Sequence, residues 1–221
     1  MGKRIDCYLD CVSPYSYYAF LYLQQNKAAL LSHGVEIEYI PVFLGGINVG
    51  SGNQPPWKLP AKAAYSPFDN KRAQKYFGVE ISTPDFFPIL SLLPQRCMTY
   101  VKENFPVERY EAIFKELWIS MWEQGNDISK PEKMAATLSR HFGSSEVKQI
   151  MDGANSPQFK QKLNDSTKRA LDAGAFGCPW FEVTDGRGVK EPFFGSDRFH
   201  YMWQYLDLPW TDISIREKSK L

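Results

Sequence analysis

The sequence predicts an α/β fold in which one sheet is assembled from both ends of the chain, with a block of helices inserted between them. Three observations predict it. About fifty N-terminal residues read strand–helix–strand, roughly a hundred more carry helical periodicity, and the last stretch returns to two strands and a helix. Elements distributed in this way form a single sheet only if the two chain ends meet, so the helical block becomes an insertion over it.

Residues Arg4 to Leu9 alternate in polarity and are rich in strand formers, which predicts the first strand. Asp10-Cys11-Val12 leads into Ser13-Pro14 and then a run of Tyr, Leu, Ala and Phe from Tyr15 to Gln25. A serine hydroxyl caps a helix start, and proline fits the first helical position because its missing N–H would be unpaired there anyway. Beyond Gly34, Val35 to Ile40 alternates strictly and predicts a second strand. Strand, helix and strand at this spacing imply a parallel pair with a right-handed crossover. Residues 45–60, with Gly45-Gly46 and Gly50-Ser51-Gly52-Asn53-Gln54-Pro55-Pro56, predict a loop.

Helices are then predicted over Asn70–Phe77, Asp85–Glu103, Val107–Glu123, Lys130–Phe142, Ser145–Asn155 and Pro157–Ala173. In the third of these, Tyr110, Ile113, Phe114, Leu117, Trp118 and Met121 recur three and four apart, the spacing of a core-facing stripe. Trp180 to Thr184 predicts a third strand, Asp185-Gly186-Arg187-Gly188 a hairpin turn, and Pro192 to Phe194 a short fourth strand. Ser196-Asp197 is expected to cap a last helix from Arg198 to about Leu206. The expected division is 1–58 with 174–221 for the sheet domain, and 59–173 for the inserted helical domain.

Composition narrows the function classes. The 221 residues are 43% hydrophobic and 23% charged, with a net charge of +1 and acids and bases interspersed. A mixed surface of this kind predicts neither a nucleic-acid nor a membrane partner. No run approaches the roughly 18 apolar residues of a membrane span, and the first strand follows Met1 too closely for a signal peptide. Cys7, Cys11, Cys97 and Cys178 form no Cys-x-x-Cys pair, and His33, His141 and His200 lie far apart, so no metal site is expected. Free thiols are the default without a secretory signal, and Cys7 and Cys11 are expected in or near the core.

In a βαβ unit, ligands collect beyond the carboxyl ends of the strands, at helix N-termini. Two segments point there: the turn Asp10–Ser16, and Ala175-Phe176-Gly177-Cys178-Pro179 ahead of the third strand. Ser13 has two readings, as a plain helix cap or as a hydroxyl that hydrogen-bonds a ligand anion.

Four segments together carry a resemblance. Asp10-Cys11-Val12-Ser13-Pro14-Tyr15-Ser16-Tyr17, Ser51-Gly52-Asn53-Gln54-Pro55-Pro56, Gly174-Ala175-Phe176-Gly177 and Phe194-Gly195-Ser196-Asp197-Arg198 resemble kappa-class glutathione transferases, in the same order and spacing from about residue 4 to 208. Bacterial glutathione-dependent 2-hydroxychromene-2-carboxylate isomerases are near kin, and periplasmic disulfide oxidoreductases more distant kin. The resemblance implies a thioredoxin-like domain with an inserted all-α domain, glutathione as co-substrate, a small electrophilic substrate and a homodimer. It implies that Ser13 stabilises the glutathione thiolate, and that Asn53 and Lys62 reach the glycyl side of the peptide or neighbouring groups. It further implies that the backbone of Cys178, before Pro179, pairs with the glutathione cysteine, while Ser196 and Asp197 hold the γ-glutamyl end. Conjugation and hydroperoxide reduction are the implied reactions; a glutathione-dependent isomerase and a glutathione-binding protein without turnover are the rivals.

The chain departs from those relatives at Cys178, where they carry an apolar residue. This thiol is either positioned for a mixed disulfide with glutathione or is a small buried hydrophobe. Ser13-Pro14-Tyr15-Ser16, holding no cysteine, argues against a dithiol oxidoreductase. Tyr15, Tyr17, Trp57 and Tyr65 are candidates to line the electrophile site or to pack. Ser219-Lys220-Leu221 reads as a peroxisomal import address, so a peroxisomal location is expected through the import receptor, and a cytoplasmic one otherwise.

Overall fold

A computed structural model describes residues 2–211. The expected Ser219-Lys220-Leu221 address lies outside the described residues. Strand β1 (Lys3–Leu9) is followed by helix α1 (Pro14–Ser32) and strand β2 (Val35–Pro41). Strands β3 (Trp180–Thr184) and β4 (Lys190–Phe194) come from the far end of the chain, and the four form one sheet in the order β2-β1-β3-β4. β1 pairs with β2 in parallel, Ile5 opposite Ile37, and with β3 antiparallel, Ile5 opposite Val183. Helices α3 (Pro60–Phe77), α4 (Leu92–Asn104), α5 (Val107–Trp118), α6 (Pro131–Leu138), α7 (Ser144–Asn155) and α8 (Pro157–Asp172) lie between β2 and β3 in sequence, and α9 (Phe199–Tyr205) follows β4. The sheet built from both chain ends and the inserted helical block are thus as the sequence predicts.

The buried side chains make one large core and a smaller cluster. Ile5, Cys7, Leu9, Phe20 and Val183 pack with Phe114, Leu117 and Trp118 of α5, so sheet and inserted helices share a single apolar interior. The smaller cluster joins Tyr8, Ile40, Val42, Ile47, Ala170, Ala175, Cys178 and Trp180. Cys7 and Cys11 are fully buried, as expected.

Four local expectations are corrected. Residues 45–60 are not all loop, because α2 (Leu44–Ser51) occupies the first half. Its glycines permit close approach to α8: a Cβ on Gly50 would stand 2.6 Å from a Leu171 methyl carbon. The helix expected from Asn70 starts ten residues earlier, at Pro60, and continues through Pro67. The helix expected from Asp85 starts only at Leu92, since Pro84 and Pro88 lack the N–H that a continuous helix needs, while Phe86, Phe87 and Ile89 pack on the core. Finally, Ser196 and Asp197 do not cap the last helix: its cap position is Arg198, and no side-chain bond closes it.

Candidate active site

The turn between β1 and α1 is anchored by hydrogen bonds with several other elements. Ser13 is buried and takes an extended conformation; its Oγ accepts the Ser16 N–H at 3.2 Å, which makes it the cap of α1 with Pro14 in the first turn. The same hydroxyl donates to the carbonyl of Cys178 at 3.1 Å. The Cys178–Pro179 peptide is cis, and the Pro179 carbonyl accepts the Gly195 N–H at 3.1 Å. The turn, the Cys178-Pro179 step and the end of β4 therefore converge at one end of the sheet.

Asn53 joins this group from the other side: its Nδ2 donates to the Phe176 carbonyl at 2.6 Å. Ser196 is buried beside the turn-forming Gly195, whereas Asp197 is largely exposed and pairs with Arg198 at 3.2 Å. Lys62 stands exposed in the first turn of α3, and among the described residues its ammonium makes no ion pair and no contact links it to Ser13. The structure thus brings Ser13, Cys178, Pro179, Asn53 and Ser196 together, leaves Asp197 at the rim, and gives Lys62 no tie to them.

The Cys178 thiol lies among Tyr8, Ile40, Val42, Ile47 and Trp180, and burial pushes its pKa well up, with Asp10 and Cys7 adding to the rise. It is a packed thiol that stays protonated, and only its carbonyl reaches Ser13. Tyr17 is buried, stacked on Trp118 at 5.6 Å, with its hydroxyl on Glu123 at 2.7 Å, so it packs rather than lines. Tyr15 is half-buried and donates to Asp69 at 2.5 Å, tying α1 to α3. Trp57 and Tyr65 are exposed, Trp57 resting edge-on against Phe87.

Behind the turn sits Asp10, a fully buried carboxylate that the sequence reading placed only in the turn. Its oxygens accept from Val12 N (3.0 Å), Leu44 N (2.7 Å) and Ser91 Oγ (2.6 Å). Burial raises its pKa to about 6, and these three donors limit the rise. Leu44 is the first residue of α2, so Asp10 serves as that helix's cap from 34 positions away. Gln95 of α4 completes the frame: its Nε2 donates to Leu9 O at 2.7 Å and Val42 O at 2.8 Å, where β1 and β2 diverge. No cluster of His, Cys, Asp and Glu suited to a metal ion occurs among the described residues.

Residues 4–207 match the DSBA-like thioredoxin domain. The chain is 32% identical to the Caenorhabditis elegans protein named glutathione S-transferase kappa 1, over 99% of this chain and 98% of that one. This chain belongs to the kappa-class glutathione transferase family. The human protein named glutathione S-transferase kappa 1, another member of the family, is 29% identical over 95% of this chain and 93% of its own. A solved 2-hydroxychromene-2-carboxylate isomerase shares the fold with a TM-score of 0.75 at 20% identity, covering 92% of this chain and 94% of that one. Ser13, the Cys178–Pro179 step and the Asn53 loop thus lie together at one end of the thioredoxin-like sheet.

Proposed function

We propose that this protein is a glutathione transferase in which Ser13 holds the glutathione sulfur as a thiolate for attack on a small electrophile. The observation that carries the reading is the Ser13 hydroxyl at the start of α1, whose present acceptor is the Cys178 carbonyl 3.1 Å away. A donor at that point is transferable: a bound thiolate beside it is a stronger acceptor than a neutral carbonyl. A free thiol titrates near 8.5, and holding two more units of acidity takes about 2.7 kcal/mol. One hydrogen bond to a charged group contributes roughly 1.5–3 kcal/mol, and the N-terminus of α1 about 0.3–1 more. That sum is sufficient without a general base.

In this reading the Cys178 backbone pairs with the cysteinyl part of glutathione, next to the cis Pro179. Asn53 and Lys62 approach the glycyl end, and Ser196 with Asp197 the γ-glutamyl end. The ammonium of Lys62 and the carboxylate of Asp197 match the charges on those two ends. Hydroperoxide reduction is a further reaction of the same thiolate. The enzyme acts as a homodimer, a reading supported by Tyr65 and Phe68, large and exposed on α3. Ser219-Lys220-Leu221 supports a peroxisomal location.

The deciding experiment is ultraviolet titration of bound glutathione from pH 5 to 9 in the wild type and Ser13→Ala. A thiol pKa depressed in the wild type and restored in the variant is expected. A normal value in both leaves Ser13 a helix cap and favours a binding protein without turnover. The likeness to 2-hydroxychromene-2-carboxylate isomerases, one of them 24% identical, favours a second reading as an isomerase that uses glutathione transiently. Free thiol disappears during conjugation and is constant during isomerisation.

A further inference from the structure

The Ser13 turn is gripped from the inserted helices by two indoles. Trp118 Nε1 donates to the Ser13 carbonyl at 3.2 Å, and Trp122 Nε1 donates to the Cys11 carbonyl at 3.0 Å. Both rings are buried and well braced. Trp118 stacks between Phe114 (4.6 Å) and Tyr17 (5.6 Å), and Trp122 packs at 5.2 Å on Phe87.

The backbone that carries them is unusual. Trp118 ends α5, and Trp122 lies in a single π-helical turn, Ile119–Glu123, in which Gln124 N donates to Ile119 O at 3.0 Å. Such wide turns are rare and are frequently found at functional sites. The chain spends this local irregularity where two N–H donors meet two carbonyls of one four-residue turn.

Those carbonyls matter to the chemistry. Each carries partial negative charge close to the hydroxyl that must face an anion. A hydrogen bond from an indole partly offsets the negative potential of a carbonyl oxygen and fixes it, and the backbone that aims the Ser13 hydroxyl is fixed with it. The Ser13 carbonyl also accepts the Tyr17 N–H at 3.3 Å, but the Cys11 carbonyl has no other acceptor role among the described residues.

We infer that Trp118 and Trp122 are positioning residues for glutathione thiol activation, acting through the backbone of the Ser13 turn. The inference rests on the reading of Ser13 given above and assigns the inserted helices a part in it.

The test replaces each tryptophan with 3-benzothienylalanine, an isostere with sulfur in place of the N–H, and Trp203 of α9 in the same way as a control. Trp118→Phe and Trp122→Phe serve as second variants. Wild type and Ser13→Ala are titrated alongside, with S-methylglutathione as a thiol-free binding probe. The expected result at Trp122 is a bound-thiol pKa about one unit closer to that of free glutathione, a roughly tenfold lower thiolate-to-thiol ratio at a given pH. Trp118 should give a smaller shift in the same direction, with the Trp203 control and S-methylglutathione affinity unchanged within about twofold. A depressed pKa kept in the Trp118 and Trp122 variants but lost in Ser13→Ala overturns the indole role and leaves Ser13 standing. No depression in the wild type overturns the Ser13 reading and the indole role together.

Discussion

The Ser13 hydroxyl and the Cys178 carbonyl, 165 positions apart in the chain, meet at 3.1 Å, so the cap of α1 also pins the strand-to-helix turn to the loop before β3. That contact is a structural role, the proposed thiolate activation is a chemical one, and the two separate by pH. Ser13→Ala should lower stability by about 1 kcal/mol, the ordinary cost of a lost cap, at every pH. Its kcat/KM should fall by about 25-fold near neutral pH, by up to about 100-fold at more acid pH, and approach the wild-type value near pH 9, where the unassisted thiol ionises. A pH–rate series on both proteins, with urea melts beside it, separates the effects. A loss of rate that is uniform across pH would mark the hydroxyl as architecture only.

Asp10 predicts a second pH effect, on stability. Its pKa in the fold is raised from 3.8 to about 6, so between these values the folded protein binds the proton that the unfolded chain has released. Stability from this group is fully present below about pH 4, falls as pH rises, and levels off above about pH 6, a change of roughly 3 kcal/mol. Asparagine cannot titrate. The difference in unfolding free energy, wild type minus Asp10→Asn, should shrink by that amount between pH 4 and 7 in chemical denaturation. A difference independent of pH would mean the carboxylate is far better solvated by its three donors than burial implies.

Gly195 stands at φ 92°, and a Cβ there would lie 2.7 Å from an Asp197 carboxylate oxygen. Gly195→Ala should cost about 1–3 kcal/mol for a backbone conformation that side chains disfavour. It should also weaken glutathione binding by displacing Asp197, which isothermal titration would read directly. Unchanged affinity would remove Asp197 from the γ-glutamyl end.

Gly153 makes the opposite case inside a helix. It lies in α7 against the Tyr100 ring of α4, where a Cβ would come within 2.1 Å of a ring carbon. Alanine is the better helix former by about 1 kcal/mol. Gly153→Ala should nonetheless destabilise by about 1–3 kcal/mol through overpacking, and Tyr100→Leu in the same chain should recover much of the loss. Thermal melts of the single and double variants decide it.

The import address is testable without the enzyme. A fluorescent protein ending in residues Ile213 to Leu221 should appear as puncta that coincide with a peroxisomal marker. Diffuse fluorescence would set the address aside.

What the sequence allows one to read follows from how local each signal is. Ser13-Pro14 announces its helix because cap and first turn are adjacent, and β1 and β2 show their alternation within six residues. Helix α2 is hidden because its glycines suit a loop equally well, and its cap, Asp10, lies on another element. The indole bonds are invisible for the same reason: Trp118 reads as part of a core stripe, which it also is, nothing in the sequence singles out Trp122, and only the fold reveals the carbonyls beneath them. Asp10 was in view as part of the turn, but its burial depends on Ser91 and Leu44 arriving from elsewhere.

The sheet order bears on how the protein is made. β1 is an inner strand, yet it is synthesised first, and one of its two neighbours, β3, is translated only after the whole helical block. On the ribosome, β1 and β2 can pair early while the other edge of β1 stays open, and open strand edges are sticky. Ser13 meets Cys178 only when that edge closes. On the role proposed for Ser13, a nascent or truncated chain would lack the assembled site until close to its last strand, and an accident of translation would yield an exposed edge rather than a stray reactive thiolate.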